Sequence, residues 1–227
     1  PEVSHLTVFQ RTANYCAPLR NGPIDADTMQ EIKGNYEEIF RICNETAGSF
    51  MHEFDQRSAM SVSPEERQEQ YERLWAKSGF GKWLANFRDV MVPGEANEDY
   101  AAFVRNKIRE RVHDPVVAEM LVPNDHTFGA KRVPCETGYY DAYNRDNVSL
   151  IDVRKAPIEC ITPNGVKTAD AEYELDVIIY ATGYDAVTGA LLNIDIYGED
   201  GKTLREKFTE GPRTYMGISS VGYPNLF

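Results

Sequence analysis

Leu6-Thr7-Val8-Phe9-Gln10-Arg11-Thr12 decides how this chain is read. A short apolar and β-branched run that breaks off into polar residues is the pattern of a buried strand in a parallel sheet. The exit of such a strand is where open α/β sheets meet their ligands. Asn21-Gly22-Pro23 then punctuates the chain, and the periodicity changes. Met29, Ile32, Tyr36, Ile39 and Cys43 recur at helical spacing. Ser63-Pro64-Glu65-Glu66 supplies an N-cap, a proline at the first helical position and an acidic third residue, opening a helix that Gly79 can end. Tyr100, Phe103, Val104, Lys107, Ile108, Arg111 and Val112 mark another amphipathic helix, and Asp114-Pro115 caps a short one through Met120. Residues 25–122 are therefore expected to be mainly helical.

From Asp125 to Tyr140 the pattern becomes a loop carrying Gly129, Lys131, Arg132 and Pro134. Strands are expected again at Val148–Val153, Ile158–Thr162 and Tyr173–Tyr180, with Pro163-Asn164-Gly165 as a turn. Ile194–Tyr197 followed by Gly198-Glu-Asp-Gly201 reads as a further strand and hairpin. The order strand, helical block, strands gives an α/β fold interrupted by a helical insertion.

The 227 residues carry 24 Lys+Arg against 36 Asp+Glu, a net charge of −12, and 42% are hydrophobic. That acidity disfavours nucleic acid and anionic membrane as partners, since both repel it. No run approaches the roughly 18 to 20 apolar residues of a membrane span, and the first residues lack a basic start followed by an apolar run, so a cytoplasmic protein is expected. Cys16, Cys43, Cys135 and Cys160 show neither zinc nor redox spacing. His5, His52, His113 and His126 form no HExxH and show no obvious acid partner, so no metal site is expected. The start at Pro1 and the finish at Pro224–Phe227 read as the edges of a piece of something longer.

Four places could carry chemistry. Gly79-Phe80-Gly81 imitates the start of a dinucleotide-binding GxGxxG, but Leu84 stands at the sixth position and no strand precedes it, so it reads as a helix boundary. Gln10-Arg11-Thr12 lies where NAD sites favour an acid for the ribose; Arg followed by Thr suits a 2′-phosphate, and a solvated strand end is the competing reading. Lys131-Arg132 lies shortly before Pro134, where extended chain sends neighbouring side chains to opposite sides. One cation could then hold a phosphate while the other faces a second ligand; two surface charges in a loop would look the same. Tyr139, Tyr140 and Tyr143 read as packing residues. In Asp176-Val-Ile-Ile-Tyr-Ala-Thr-Gly-Tyr-Asp185 the strand ends at Thr182-Gly183, where glycine permits a sharp turn or close approach to a flat ligand.

DVIIYATGYD (176–185), together with VFQRTANY (8–15), KRVPCETGYYDAYNRDNVSLIDV (131–153) and GPRTYMGISSVGYPNLF (211–227), resembles Baeyer-Villiger flavin monooxygenases of the cyclohexanone and phenylacetone type. The resemblance covers essentially the whole chain, and its motifs are specific jointly, not singly. It implies part of a Rossmann-like NADP domain, with residues 1–24 as its strand and connection, 25–124 as the helical insertion, 125–183 as its remainder and 184–227 as the return into an FAD domain. It also implies two cofactors, FAD and NADP, with a ketone and molecular oxygen as substrates. By matching motif, Gln10, Arg11, Thr12 and Lys131 would serve the NADP 2′-phosphate, Thr182 and Gly183 would bind cofactor where the chain crosses between domains, and Arg132 would serve the negatively charged oxygenated flavin.

Departures from the family pattern are Ala13 where proline is common after QRT, Val133, Cys135 and Glu136 within the KRLPLDT segment, and Phe208 where tryptophan is common. None removes a charge. Both family GxGxxG motifs and the His- and Trp-containing fingerprint between them are not in these 227 residues, so the chain alone is expected to be inactive. A sulfur or nitrogen oxygenase would share much of this machinery, and a helical interaction module on a vestigial α/β base is the non-catalytic alternative. The sequence names neither the ketone nor the oligomeric state.

Overall fold

The computed structural model describes residues 3–46 and 48–226. The chain divides after Tyr173 into two units, each considered by itself.

In the first unit, β1 (Leu6–Gln10) lies parallel to β4 (Val148–Asp152), with Leu6 opposite Val148 and Gln10 opposite Asp152. A second parallel pairing joins β2 (Ala17–Pro18) to β3 (Cys135–Glu136), with Ala17 opposite Cys135. The helices between residues 26 and 121 leave the sheet after β2 and return before β3. The two pairings therefore lay the exit of β1 beside the loop that follows the helices. The expected buried strand at Leu6 is parallel, but it is half-buried at most and Leu6 itself is exposed, because β4 is its one strand neighbour among the described residues.

The helices form where their caps stand. Asp25 accepts from Thr28 N at 2.8 Å and opens α1 (Ala26–Gly34), followed by α2 (Tyr36–Glu45). Neither buries a residue; α2 is braced by Arg41 between Glu38 and Glu45, pairs worth a few tenths of a kcal/mol each. Ser63 caps α3 (Pro64–Trp75), which ends before Gly79, at Ala76. Gly79 lies beyond it at φ +70°, and Gly81 begins the short α4 (Gly81–Leu84), so this pair of glycines is a helix boundary. Next come α5 (Glu95–Arg111) and α6 (Pro115–Leu121), the latter capped by Asp114 on Val116 N at 2.7 Å. After β3, α7 (Tyr139–Ala142) starts at Gly138, which sits at φ +77°.

The helical block shares its core with the strands. Tyr71, Trp75, Trp83, Phe87, Tyr100, Phe103 and Phe128 pack with Tyr15, Ala17 and Val133 from the sheet side. Further along α5, Ile108 joins Val112, Leu121, Tyr140 and Tyr143, with Val8, Val148 and Leu150 against them. Tyr140 and Tyr143 are thus packing residues. Lys82 is fully buried in this block and donates to the carbonyls of Lys77 and Gly79, so burial lowers its affinity for a proton.

Strand β5 (Ile158–Thr162) turns through Pro163-Asn164 into antiparallel β6 (Gly165–Thr168), and β7 (Glu172–Glu174) completes a three-stranded sheet. The expected strand at Tyr173–Tyr180 is reduced to β7. Residues 176–180 form no ladder, and Ile179 is 85% exposed. Its apolar run reads as a strand, but a strand is stable only when neighbours pair its backbone. In the second unit, α8 (Gly189–Leu192) precedes a minimal hairpin. The strand expected at Ile194–Tyr197 is one antiparallel bridge, Tyr197 to Thr203, across a turn with Gly201 at φ +76°. Thr203 and Glu206 then form a capping box on α9 (Leu204–Lys207), whose Leu204, with Phe208 just beyond its end, packs with Tyr223.

Candidate functional site

The parallel register places Thr12 and Arg154 side by side, each two residues beyond the last pair of β1 and β4, Gln10 and Asp152. One nitrogen of the Arg154 guanidinium donates to Thr12 Oγ1 at 3.1 Å and to Asp125 Oδ2 at 2.8 Å. The other carboxylate oxygen of Asp125 lies 2.6 Å from His126 Nδ1. His126 Nε2 lies 3.2 Å from Asn14 Oδ1, and Asn14 Nδ2 donates to the Arg132 carbonyl at 3.1 Å. Thr12 and Asn14 are two residues apart, so the bonds close a ring, and the Lys131-Arg132 loop hangs from it by the Arg132 carbonyl.

The donor count constrains the histidine. Asn14 must turn its amide nitrogen to the Arg132 carbonyl, which leaves its oxygen facing His126 Nε2. Asp125 is an acceptor on the other side. His126 thus has an acceptor on each side of its ring. Hydrogen bonds from His126 and Arg154, with the charge of Lys131 nearby, hold the Asp125 carboxyl down at about 2. The His126 side chain is largely buried, with its ring edge-on to Tyr15, and Arg105 donates to both the Tyr15 hydroxyl and the Pro123 carbonyl at 2.9 Å.

The candidates named from the sequence fall out unequally. Thr12 is in the ring, and Lys131 and Arg132 are on the loop it holds. Arg11, Lys131 and Arg132 are exposed, and their side chains make no ion pair among the described residues, despite the chain's excess of carboxylates. Gln10 is engaged elsewhere, donating to the Met120 carbonyl at 2.8 Å. Thr182 and Gly183 belong to the second unit; both are exposed, and Gly183 has φ +83° with open space where a Cβ would stand. Sequence reasoning missed Asn14, Asp125, His126 and Arg154. The expectation that no histidine has an acid partner is corrected by Asp125, the residue immediately before His126. No group of metal-ligating side chains occurs among the described residues, and no helix there is long and apolar enough to cross a membrane.

No protein-family model matches the chain. Individual proteins do. A 2-oxo-Δ3-4,5,5-trimethylcyclopentenylacetyl-CoA monooxygenase of Pseudomonas putida is 52% identical over 98% of this chain and 41% of its own length. Over its whole length the chain is homologous to Baeyer-Villiger monooxygenases. Cyclohexanone 1,2-monooxygenase of Acinetobacter is 42% identical over 100% of the chain and 42% of its own length. The crystal structure of OTEMO in complex with FAD and NADP superposes with a TM-score of 0.92 at 52% identity, covering 98% of this chain and 42% of that one. The chain thus spans about two fifths of the length of the Baeyer-Villiger monooxygenases it matches, and its mixed α/β architecture is theirs.

Proposed function

We propose that this chain is the NADP-binding and helical portion of an FAD- and NADPH-dependent Baeyer-Villiger monooxygenase. The whole enzyme would consume a ketone, molecular oxygen, NADPH and a proton, and yield an ester or lactone, NADP⁺ and water, in the cytoplasm. The observation that carries the reading is 52% identity, over 98% of this chain, to a 2-oxo-Δ3-4,5,5-trimethylcyclopentenylacetyl-CoA monooxygenase, together with the presentation of Arg11, Thr12 and Lys131 around one strand exit.

The residues present suit a 2′-phosphate. A phosphate dianion needs cations that no carboxylate has neutralised, and Arg11 and Lys131 meet that condition among the described residues. Thr12 adds a hydroxyl fixed by Arg154. For the flavin the chain offers Arg132, and its sequence holds no GxGxxG loop. When bound, the flavin supplies the redox and oxygen-transfer chemistry. The role of Arg132 is to hold a fixed positive charge where negative charge develops, its loop anchored through its own carbonyl. Thr182 and Gly183 would form the crossing back toward the FAD domain.

The decisive experiment uses the full-length, FAD-loaded protein with NADPH, a panel of cyclic ketones and a sulfide, under heavy-isotope oxygen gas. Ester or lactone carrying one heavy oxygen is expected. Oxygenation of the sulfide alone would make it a heteroatom oxygenase, and no NADPH consumption would remove the reading altogether. The 227-residue polypeptide by itself should purify without yellow colour; stoichiometric flavin on it would overturn this division of labour.

A further inference from the structure

We propose that Asp125, His126 and Arg154 act as positioning residues that set the distance between the Thr12 hydroxyl and the Lys131-Arg132 loop, and thereby the preference for a 2′-phosphorylated dinucleotide. The proposal rests on the reading above and adds to it three residues to which it assigns no direct bond to the phosphate. The ring is the argument. Two segments far apart in sequence, the exit of β1 and the loop before β3, both present candidate phosphate ligands, yet no side chain of Arg11 or Lys131 ties them together. The tie runs through Arg154 to Asp125 at 2.8 Å, through Asp125 to His126 at 2.6 Å, and through Asn14 to the Arg132 carbonyl at 3.1 Å. Opening the Arg154–Asp125 or the Asp125–His126 bond leaves the loop held by Asn14 and the β2–β3 pairing alone, so that its position relative to Thr12 is less firmly fixed. A bare ribose hydroxyl would register that little, whereas a phosphate held from two sides would register it strongly, because charge-assisted bonds depend steeply on geometry.

Arg154 could instead be a phosphate ligand itself, since it is cationic and beside Thr12. The two roles predict opposite signs for one substitution. If Arg154 positions, Asp125→Asn opens the ring and weakens NADP⁺. If Arg154 binds phosphate, the same substitution releases its charge and tightens NADP⁺.

The test is titration of NADP⁺ and NAD⁺ into the full-length, FAD-loaded protein by calorimetry, with flavin content and melting temperature recorded for each variant. Arg154→Ala and Asp125→Asn should each raise the NADP⁺ dissociation constant about tenfold, the order expected for one charge-assisted bond, and leave NAD⁺ within about twofold. Arg154→Lys should stay near wild type, because a single nitrogen makes both Arg154 bonds and an ammonium has donors enough for both. An unchanged NADP⁺ to NAD⁺ ratio in Arg154→Ala, tighter NADP⁺ in Asp125→Asn, or equal loss for both dinucleotides would each overturn the proposal. A wild-type protein that does not prefer NADP⁺ would instead overturn the proposed function on which it rests.

Discussion

The exit of β1 and the stretch Asp176–Asp185 look alike as sequences: each is an apolar run ending in a polar or glycine-containing tripeptide. They differ completely in their surroundings. Beyond β1, Thr12 and Asn14 are wired into a ring of side chains, and Phe128, two residues past His126, is buried against Tyr15, Trp83 and Tyr100. Along the other stretch, Val177, Ile179, Tyr180 and Tyr184 are exposed and no strand among the described residues pairs with them. An apolar run is thus not a sufficient mark of a strand. What converts it into a site is a parallel neighbour in register, which delivers a second segment's side chains to the same place.

The largest expected effect tests the support beneath the ring. Phe128→Ala should lower the free energy of unfolding by about 3–5 kcal/mol, read as a shift in denaturant midpoint, because the cavity opens inside the core that carries the loop. Retained stability would show that the loop does not depend on this core. Slightly smaller is the catalytic effect of Arg132→Ala in the full-length enzyme. Product formation should fall about 10²–10³-fold, while NADPH still reduces the flavin and hydrogen peroxide is released. Stopped-flow reduction with product analysis reads both, and near-normal ketone oxygenation would take Arg132 out of the chemistry. Lys131→Ala should weaken NADPH about ten- to a hundredfold with little change for NADH, measured by steady-state titration; equal losses would point to a folding defect.

Acid provides a subtler probe of the ring. Asp125 is held at about 2 by His126 and Arg154, against about 3.9 in the unfolded chain. A carboxyl with a depressed folded value contributes stability that is complete above the unfolded value and lost as pH falls from roughly 4 toward 2. Asp125→Asn should flatten that part of the stability curve, and an unaltered acid limb would show that the pairing contributes nothing. The smallest effect belongs to the other member of the comparison: Ile179→Ser in the 227-residue chain should move the midpoint by no more than about 0.5 kcal/mol. A larger loss would mean that residues 176–180 are paired after all.

Local chemistry written in the sequence was reliable wherever a few adjacent residues suffice. Ser63-Pro64 and Asp114-Pro115 start helices because their side-chain oxygens satisfy backbone N–H groups within the same turn. Arg11 and Lys131-Arg132 stood out because cations at those points in an acidic chain need a reason. The sequence also marked the stretch of α1 and α2 as helical by period, yet neither its break at Asn35 nor its exposure: Phe40 is 62% exposed, since period shows that an apolar face exists and not what meets it.

By itself, then, the sequence determined the helix starts and the Lys131-Arg132 pair from residues a few positions apart, and the α/β order and a family likeness from segments read in series along the chain. Only the tertiary structure decided that Gln10 turns to Met120, that Asn14, Asp125, His126 and Arg154 belong to one ring, and that residues 176–180 form no ladder. The reason is that a hydrogen bond across more than a hundred residues, such as Thr12 to Arg154, exists only once β1 and β4 have settled into register. That register is fixed by burial of Val8, Val148 and Leu150 against the helices, an energy that belongs to the packed core and to no local run of residues.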